Sequence, residues 1–541
     1  MGALTLKSFP FELRGWDIEK FESIDPTDGF GSNTRVYINK NQVVQIEPDY
    51  NIHTLNTWLT DKGRQFFDGV FGTWNPKIIN KNQNLTNNSW IQLINTLAQT
   101  IYISTICRKQ YNKNQTLTIV FENLSLEALS ILTLFSQKYS FIKLKRAENY
   151  TIDNELESTF QLNSATNKSK LSSSTLCLLV SNNPRYEGYY LNLSLRQRFL
   201  KGNFKCLVLG SLINITFPVS FLGSNLNILK SISEGNNLIC QELKYAKNPM
   251  LVFNQELLKR QDSKNAIELL KILKHANIFN NTWNGLNMLN PSLHDGGINN
   301  LNKFSAFNTQ DLNKNNSIYF LNVSTNKIHN LNKIIELKLL NFTPPKIDQG
   351  NNFKVFLDQN SNLNYNISFY KNIASCNPNM EYKFIPSNKF YDTDETFINT
   401  EGFIKRVTKL IIQKNTRSNW QIIRKIFKHF SNNLYFLNQQ ENNLITYNSK
   451  KLINFKNYIN FQYQATQTLT NVSFYLSIKN NSFIKNEKNL TFKPKHSKLT
   501  NTKLKYWIDD FFSGGKDEFS EHSLILTNCS KILRSETTNF F

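Results

Sequence analysis

Cysteine is scarce in this 541-residue chain, and its placement argues against cysteine chemistry. The six thiols stand at positions 107, 177, 206, 240, 376 and 529, far apart and with no pair at CxxC spacing, which reads as a reducing compartment with free, mostly buried thiols. The seven histidines are equally scattered, without HxxxH or HExxH, so a zinc site has no support. No apolar run approaches the roughly 20 residues that span a bilayer. No GxGxxG follows a strand-like segment, and SGGKD at 513–517 lacks the first glycine and the Ser/Thr of a phosphate-binding loop. Asp509 and Asp510 are neighbours in WIDDFF and read as a solvated turn, not an acid/base pair. No Ser/His/Asp or Cys/His arrangement stands out. Residues 1–20 are neither Arg-rich nor free of acids, so they do not read as a transit peptide.

Acids are also in short supply: 40 Asp and Glu face 63 Lys and Arg, a formal net charge of +23. The excess is spread along the whole chain. It therefore reads as a surface for acidic partner chains, in preference to nucleic-acid binding, which wants the charge gathered in one patch. With 40% hydrophobic and 13% aromatic residues, the chain is a folded one of several domains. The dominant polar residue is asparagine, about 80 of the 541, several times an ordinary share. Asn, Lys, Ile, Phe and Tyr all have A/T-rich codons, so part of this composition marks an A/T-rich genome such as an organellar one. The many Asn-x-Ser/Thr triplets follow from that abundance and mark no glycosylation.

Residues 1–75 hold short alternating segments, TRVYINK and VVQIEPD separated by KN, and predict a small β-hairpin domain. Beyond it helices and strands alternate. SWIQLINTLAQTIYIS predicts a helix, LTIVFE a strand, SLEALSILTLFSQKY a helix with Ser125 as N-cap, and FIKLK a strand. After a polar stretch at 147–174 come the strands TLCLLVSNN, KCLVLGS and PMLVFN and the helices YYLNLSLRQRFL, LNILKSIS and NAIELLKILKHA. SIYFLNVS, FKVFLDQ and ISFYKNI continue as strands, and NWQIIRKIFKHF is an amphipathic helix. This is the rhythm of parallel strands between helices. Residues 431–500 read as a polar insertion. The strand-to-loop segment CLLVSNNPR, 177–185, lies where a doubly wound sheet places a ligand. Asn183 and Arg185 there are candidates for a phosphate or sugar, or Pro184 simply ends a strand and leaves Arg185 on the surface.

Near the start, IDPTDGFGSNTRVY (24–37) reads as a Gly29/Gly31 bend followed by a strand in which Arg35, Tyr37 and Asn39 alternate with Val36 and Ile38. WLTDKGRQFF (58–67) follows. These segments, with LLVSNNPRYEG, WNGLNMLN, DETFINTEG, NWQIIR and IDDFFSGGKDEFSEHSLILTNCSK, come in one order. In that order they resemble the C-terminal portion of the large iron–sulfur subunits of mitochondrial respiratory complex I, NADH:ubiquinone oxidoreductase. That portion is similar to molybdopterin oxidoreductases of the formate dehydrogenase type, which bind a four-iron cluster through C-x2-C-x3-C-x27-C and a pterin dinucleotide between doubly wound domains. On this chain the four ligand positions fall on Asp25, Asp28, Ser32 and Thr60. Two carboxylates and two hydroxyls should not assemble a cluster held by thiolates, and the two aspartates read as turn-capping residues ahead of a hard-cation site. In NTEGF, Phe403 stands where active relatives have arginine; Ser181 replaces the glycine usual before xNPR; and no cysteine between Cys107 and Cys177 is left to ligate molybdenum.

The resemblance implies an α/β chain with a degenerate molybdopterin-oxidoreductase (formate dehydrogenase-like) fold. Its expected parts are a vestigial iron–sulfur domain without cysteine ligands at 1–75, doubly wound lobes at 76–430 and a C-terminal region with polar insertions at 431–541. It implies a structural subunit of the NADH-oxidising module of complex I, on the matrix side of the mitochondrial inner membrane. No catalytic, cofactor-binding or metal-binding residue is expected in this chain, with iron–sulfur clusters and FMN in its neighbours. The expected partners are a ferredoxin-like, cluster-bearing half of the same subunit, the flavoprotein subunit of the module, its smaller iron–sulfur subunit and accessory subunits. No nucleic acid and no direct membrane span are expected. The alternatives are an active molybdopterin-dependent oxidoreductase and a basic organellar RNA-associated protein. A further expectation is that the subunit is split, organelle-encoded, and that its cluster-bearing half is a separate polypeptide. Intact-mass analysis of the natural subunit checks the split: a polypeptide near 63.0 kDa is expected, and one continuous larger polypeptide rules it out.

Overall fold

The computed structural model describes residues 13–49, 58–70, 77–79, 85–87, 117–147, 173–211, 214–260, 262–275, 285–301, 304–307, 317–323, 354–360, 380–412, 416–438 and 523–529, with a few single positions besides. The helix expected at 89–104, apart from Trp90, and the strand expected at 367–373 lie outside these residues, as do Cys107, Cys376, Asp509, Asp510 and 513–517.

The chain opens with a three-stranded antiparallel sheet, β1 (Glu19–Ile24), β2 (Asn33–Asn39) and β3 (Gln42–Pro48). Along β2 the expected alternation holds: Thr34, Val36 and Ile38 are buried while Arg35, Tyr37 and Asn39 are half-exposed. Lys40 and Asn41, at φ 45° and 71°, make the two-residue turn into β3. Two left-handed residues in succession match the right-handed twist of a hairpin. The Asn41 amide then clamps the backbone of Ile412, accepting from its N–H and donating to its carbonyl, both at 2.8 Å. A sheet this small cannot enclose its own core. Ile24, Val36, Val43, Ile46 and Phe66 therefore pack with Leu293, which follows the smaller lobe in the sequence, and with Phe390, Tyr391, Phe397 and Val407, which follow the last strand of the larger.

Two parallel sheets follow. The strands β4 (Lys77–Ile79), β5 (Leu85–Asn87), β6 (Leu117–Phe121) and β7 (Ile142–Arg146) belong to the larger. The smaller is made of β8 (Leu176–Val180), β9 (Lys205–Leu209), β10 (Ser220–Gly223), β11 (Met250–Asn254) and β12 (Leu286–Leu289), in the order β10-β9-β8-β11-β12. The larger is completed by β13 (Ser305–Ala306), β14 (Ser317–Leu321), β15 (Lys354–Asn360) and β16 (Met380–Pro386), in the order β13-β7-β6-β14-β15-β16-β4-β5. Counted from its first parallel strand, each sheet has the doubly wound order 3-2-1-4-5, extended by a sixth strand in the larger. The smaller lobe is thus an insertion between β7 and β13, and the larger carries an antiparallel β4–β5 hairpin at one edge.

The apolar runs of the sequence are explained by burial on both faces. Along β8, Leu176, Leu178 and Val180 enter one core with Leu207, Phe253 and Leu270, while Cys177 and Leu179 enter another with Leu191, Val208 and Val252. Helices α1 (Asp61–Gln65), α2 (Leu126–Lys138), α3 (Pro184–Glu187), α4 (Tyr189–Leu200), α5 (Leu226–Ser233), α6 (Ile239–Tyr245), α7 (Ser263–His275), α8 (Leu293–Leu301) and α9 (Asn419–Asn438) supply the layers and connections. Ser125 caps α2 as expected, its hydroxyl accepting from the Ala128 N–H. On α9 the stripe Ile422, Ile423, Ile426 and Phe427 is buried against the larger sheet's core. A short hairpin, β17 (Glu395–Ile398) and β18 (Ile404–Val407), bridges the larger lobe to the small sheet. Buried Glu127 at the start of α2 accepts from both the N–H and the hydroxyl of Thr396, at 2.8–3.1 Å.

Candidate functional site

The four positions expected to converge do so. The turn after β1 folds on its own side chains: Asp25 Oδ1 accepts from Thr27 N–H at 2.9 Å and Thr27 O–H at 2.7 Å, and Asp28 Oδ1 accepts from Phe30 N–H at 3.2 Å. These are the Asx turns that aspartate makes readily. The backbone N–H of Asp25 then donates to the Ser32 carbonyl at 2.8 Å, closing the loop, and the Ser32 hydroxyl donates to Asp28 Oδ2 at 3.1 Å. Thr60 caps α1, accepting from Gly63 N–H at 3.0 Å, and both Asp25 Oδ2 and Thr60 Oγ1 crowd the space where a β-carbon on Gly63 would stand. Asp25, Asp28 and Ser32 are buried.

Three outside elements press on this turn. A β-carbon on Gly29 would collide with the Asn290 carbonyl and the Thr400 hydroxyl, so glycine is needed for the close approach. The N–H and the hydroxyl of Thr400 each donate to the Gly29 carbonyl at 2.8 Å, and the Asn399 amide donates to the Phe30 carbonyl at 3.1 Å. From α4, Tyr189 reaches across and donates its hydroxyl to Ser32 Oγ at 2.6 Å, while Tyr190 sets its ring edge-on to Phe30 at 5.5 Å. In the sequence NTEGF stands out for Phe403, not for the Asn399 and Thr400 contacts, and no motif or periodicity marks Tyr189.

The electrostatics are those of a buried acid cluster. Burial first, then the Asp25 charge and Glu401, push Asp28 from 3.8 up to about 7; its hydrogen bonds from Phe30 and Ser32 work the other way. Burial likewise pushes Glu401 from 4.5 up to about 7, opposed by Lys405 and by Asn399. Lys405 is itself lowered by burial and donates to Asn33 Oδ1 at 3.0 Å. The Tyr189 and Tyr391 hydroxyls are raised well above their ordinary value, chiefly by burial.

A thiolate-free set of two carboxylates and two hydroxyls, in which Asp25 accepts from Thr27, Ser32 links Asp28 to Tyr189 and Thr60 caps α1, does not fit a four-iron cluster, which is held by cysteine sulfur. Among the described residues no group of three or more His, Cys, Asp or Glu is disposed to hold a metal ion.

The second expected place is the crevice outside β8 and β11, where the winding of the smaller sheet reverses. Asn183 is the N-cap of α3, its side chain accepting from Arg185 N–H at 3.2 Å. Arg185 lies outward and donates to the Asn214 carbonyl at 3.3 Å. Ser181, in the glycine position, has φ 50°, a left-handed backbone that costs a non-glycine residue about 1–3 kcal/mol. The crevice edge is polar: Asn182 is buried with neither amide atom bonded among the described residues. Two of its donors, however, already have an acceptor. The Glu187 carboxylate accepts from Asn183 N–H at 3.0 Å through Oε2 and from the Asn254 amide, at the end of β11, through Oε1. A phosphate brought to these donors meets a carboxylate already there, so the residues do not fit a pyrophosphate-bearing dinucleotide. Phe403, where the resemblance implies arginine in active members, is 43% exposed.

The molybdopterin oxidoreductase family model matches residues 75–429, both doubly wound lobes, and a second model, NADH-ubiquinone oxidoreductase NDSU1/NuoG-like, 4Fe-4S domain, matches residues 18–68. The chain belongs to the molybdopterin oxidoreductase family. Within it, the chain is homologous to the NADH-ubiquinone oxidoreductase 75 kDa subunit of Reclinomonas americana, 26% identical over 446 residues that cover 79% of this chain and 59% of that protein. An NADH-quinone oxidoreductase subunit of Rickettsia bellii is 29% identical over 296 residues, 53% of this chain and 42% of that one. The chain thus spans less than two thirds of the length of these relatives. Among solved structures, acetylene hydratase from Pelobacter acetylenicus superposes with a TM-score of 0.48 at 9% identity, covering 77% of this chain and 70% of that one.

The acid cluster predicts a pH dependence with a definite sign. Asp28 and Glu401 keep their protons in the fold to about pH 7 but lose them near pH 4 when unfolded. Between those values the unfolded state binds fewer protons, so stability falls as pH rises. Urea denaturation from pH 5 to pH 8 should show a loss of a few kcal/mol, at up to about 1.4 kcal/mol per pH unit for each acid. Asp28→Asn should flatten the slope; a slope of opposite sign, or one unchanged by the substitution, contradicts the assignment.

Proposed function

We propose that the chain is a structural subunit of the NADH-oxidising module in the peripheral arm of respiratory complex I, and that it carries none of that module's redox centres. The observation that supports this most directly is the fate of the four former ligand positions. Asp25, Asp28, Ser32 and Thr60 keep the backbone of a cluster site while their side chains are spent on hydrogen bonds. In this reading electrons pass from NADH to ubiquinone through FMN and clusters in neighbouring chains, coupled to proton pumping elsewhere in the complex. The partners are the ferredoxin-like, cluster-bearing half of the subunit, the flavoprotein subunit, the smaller iron–sulfur subunit and accessory subunits. The place is the matrix side of the mitochondrial inner membrane. The organisation expected from the sequence, with boundaries near 75 and 430, belongs to the same proposal.

The two homologues named above support the assignment to this complex. Among the described residues no helix is long and apolar enough to cross a membrane, which accords with a place in the peripheral arm. The surplus of 63 basic over 40 acidic residues gives the chain a surface suited to acidic neighbours.

Native electrophoresis with an in-gel NADH dehydrogenase stain, followed by mass spectrometry of the stained band, tests the proposal. The chain is expected in that band. Its consistent absence, or co-sedimentation with ribosomes that is lost at raised salt, overturns the assignment.

A further inference from the structure

The two places where family cofactors would sit are closed from the same short stretch of chain. Glu187 at the end of α3 and Tyr189 at the start of α4 are two residues apart and point into different places. Glu187 bridges Asn183 and Asn254 at the crevice of the smaller sheet. Tyr189 bonds Ser32, which in turn bonds Asp28, in the turn of the small sheet. Between them Gly188 is pressed so close that a β-carbon would come within 3.0–3.1 Å of Leu289 and Phe30. Leu289 ends the last strand of the smaller sheet, and Phe30 belongs to the former cluster turn. The segment thus lies at the seam between the lobe and the small sheet, and it satisfies polar groups on both sides.

We propose that residues 183–190 are a double plug: the Glu187 carboxylate stands in for a ligand's anion at the crevice, and the Tyr189 hydroxyl completes the hydrogen bonding of the former cluster turn, locking lobe and small sheet together without a cofactor. The inference rests on the cofactor-free reading given above and says what replaced the cofactors. Asp28 is bonded within the turn, but without Tyr189 the buried Ser32 Oγ would have no donor, and without Glu187 the Asn183 N–H and the Asn254 amide would have no acceptor. Each such orphan carries a desolvation penalty that no bond offsets. One segment supplies a partner to both.

The test uses the full chain and two readouts. For the crevice, the melting temperature is compared with and without millimolar pyrophosphate, against chloride at equal ionic strength. The wild-type chain should not respond, and Glu187→Ala should be stabilised by pyrophosphate. Glu187→Gln, which keeps the volume and removes the charge, serves if the alanine variant does not fold. For the turn, Tyr189→Phe should raise the unfolded fraction about tenfold, and Ser32→Ala, which also removes the bond to Asp28, by more. The double variant should be little worse than Ser32→Ala alone, because the Tyr189–Ser32 bond is already gone in that variant. An equal pyrophosphate response in wild type and Glu187 variants, or additive effects of Tyr189→Phe and Ser32→Ala, overturns the plug. Iron or pterin recovered from the wild-type chain instead overturns the cofactor-free reading on which it rests.

Discussion

The close approach at Gly29 is the constraint on which the rest of the architecture depends. At Gly29 the turn 25–32 meets the end of β12 and the 399–400 corner of the β17–β18 hairpin, and three residues on, at Ser32, it meets the start of α4, so three parts of the chain that are far apart in sequence converge on one turn. A side chain of any size at Gly29 would push the Asn290 carbonyl away and break the Thr400 bonds. The small sheet has too little apolar area to stand alone, and its core is completed by residues from beyond β12 and from the β17–β18 hairpin. The frame of a cluster site therefore survives because it is a packing junction, whatever its side chains can or cannot ligate.

Side chains at such a junction are under a different rule from the backbone. Once thiolates are absent, the remaining polar groups must find partners or be excluded from the interior. In this chain the partners are internal: aspartate caps its own turn, serine links to aspartate, and tyrosine from the lobe links to serine. The same solution appears at the crevice, where a carboxylate occupies the donors that a phosphate would use. Burying acids is costly, and the chain lowers that cost by keeping Asp28 and Glu401 neutral up to about pH 7.

Much of this was legible in the residues. The continuous apolar runs LTIVF, LCLLV, KCLVL and MLVFN mark strands covered on both faces, and the Ser125 cap and the Ile422–Phe427 stripe mark α2 and α9. The resemblance placed Asp25, Asp28, Ser32 and Thr60 at one site, and they meet there. Pairing of strands was not legible. Periodicity identifies a strand without naming its neighbour, so nothing in the pattern says that β7 continues to β13 across an inserted lobe of five strands. β1 escaped notice because EKFESI is an edge strand, exposed over much of its length. The inward turn of Glu187 and Tyr189 escaped for another reason. A polar residue beside a helix start usually faces water, and only the partners Asn254 and Ser32, 67 and 157 residues away, reveal the contrary.

A cofactor-site frame kept for packing is the central claim, and composition analysis of the isolated chain tests it most directly. The natural chain, separated from its neighbours without denaturation, should contain no stoichiometric iron or acid-labile sulfide, and acid extraction should release no fluorescent pterin. Four irons per chain, or one equivalent of pterin, would contradict it.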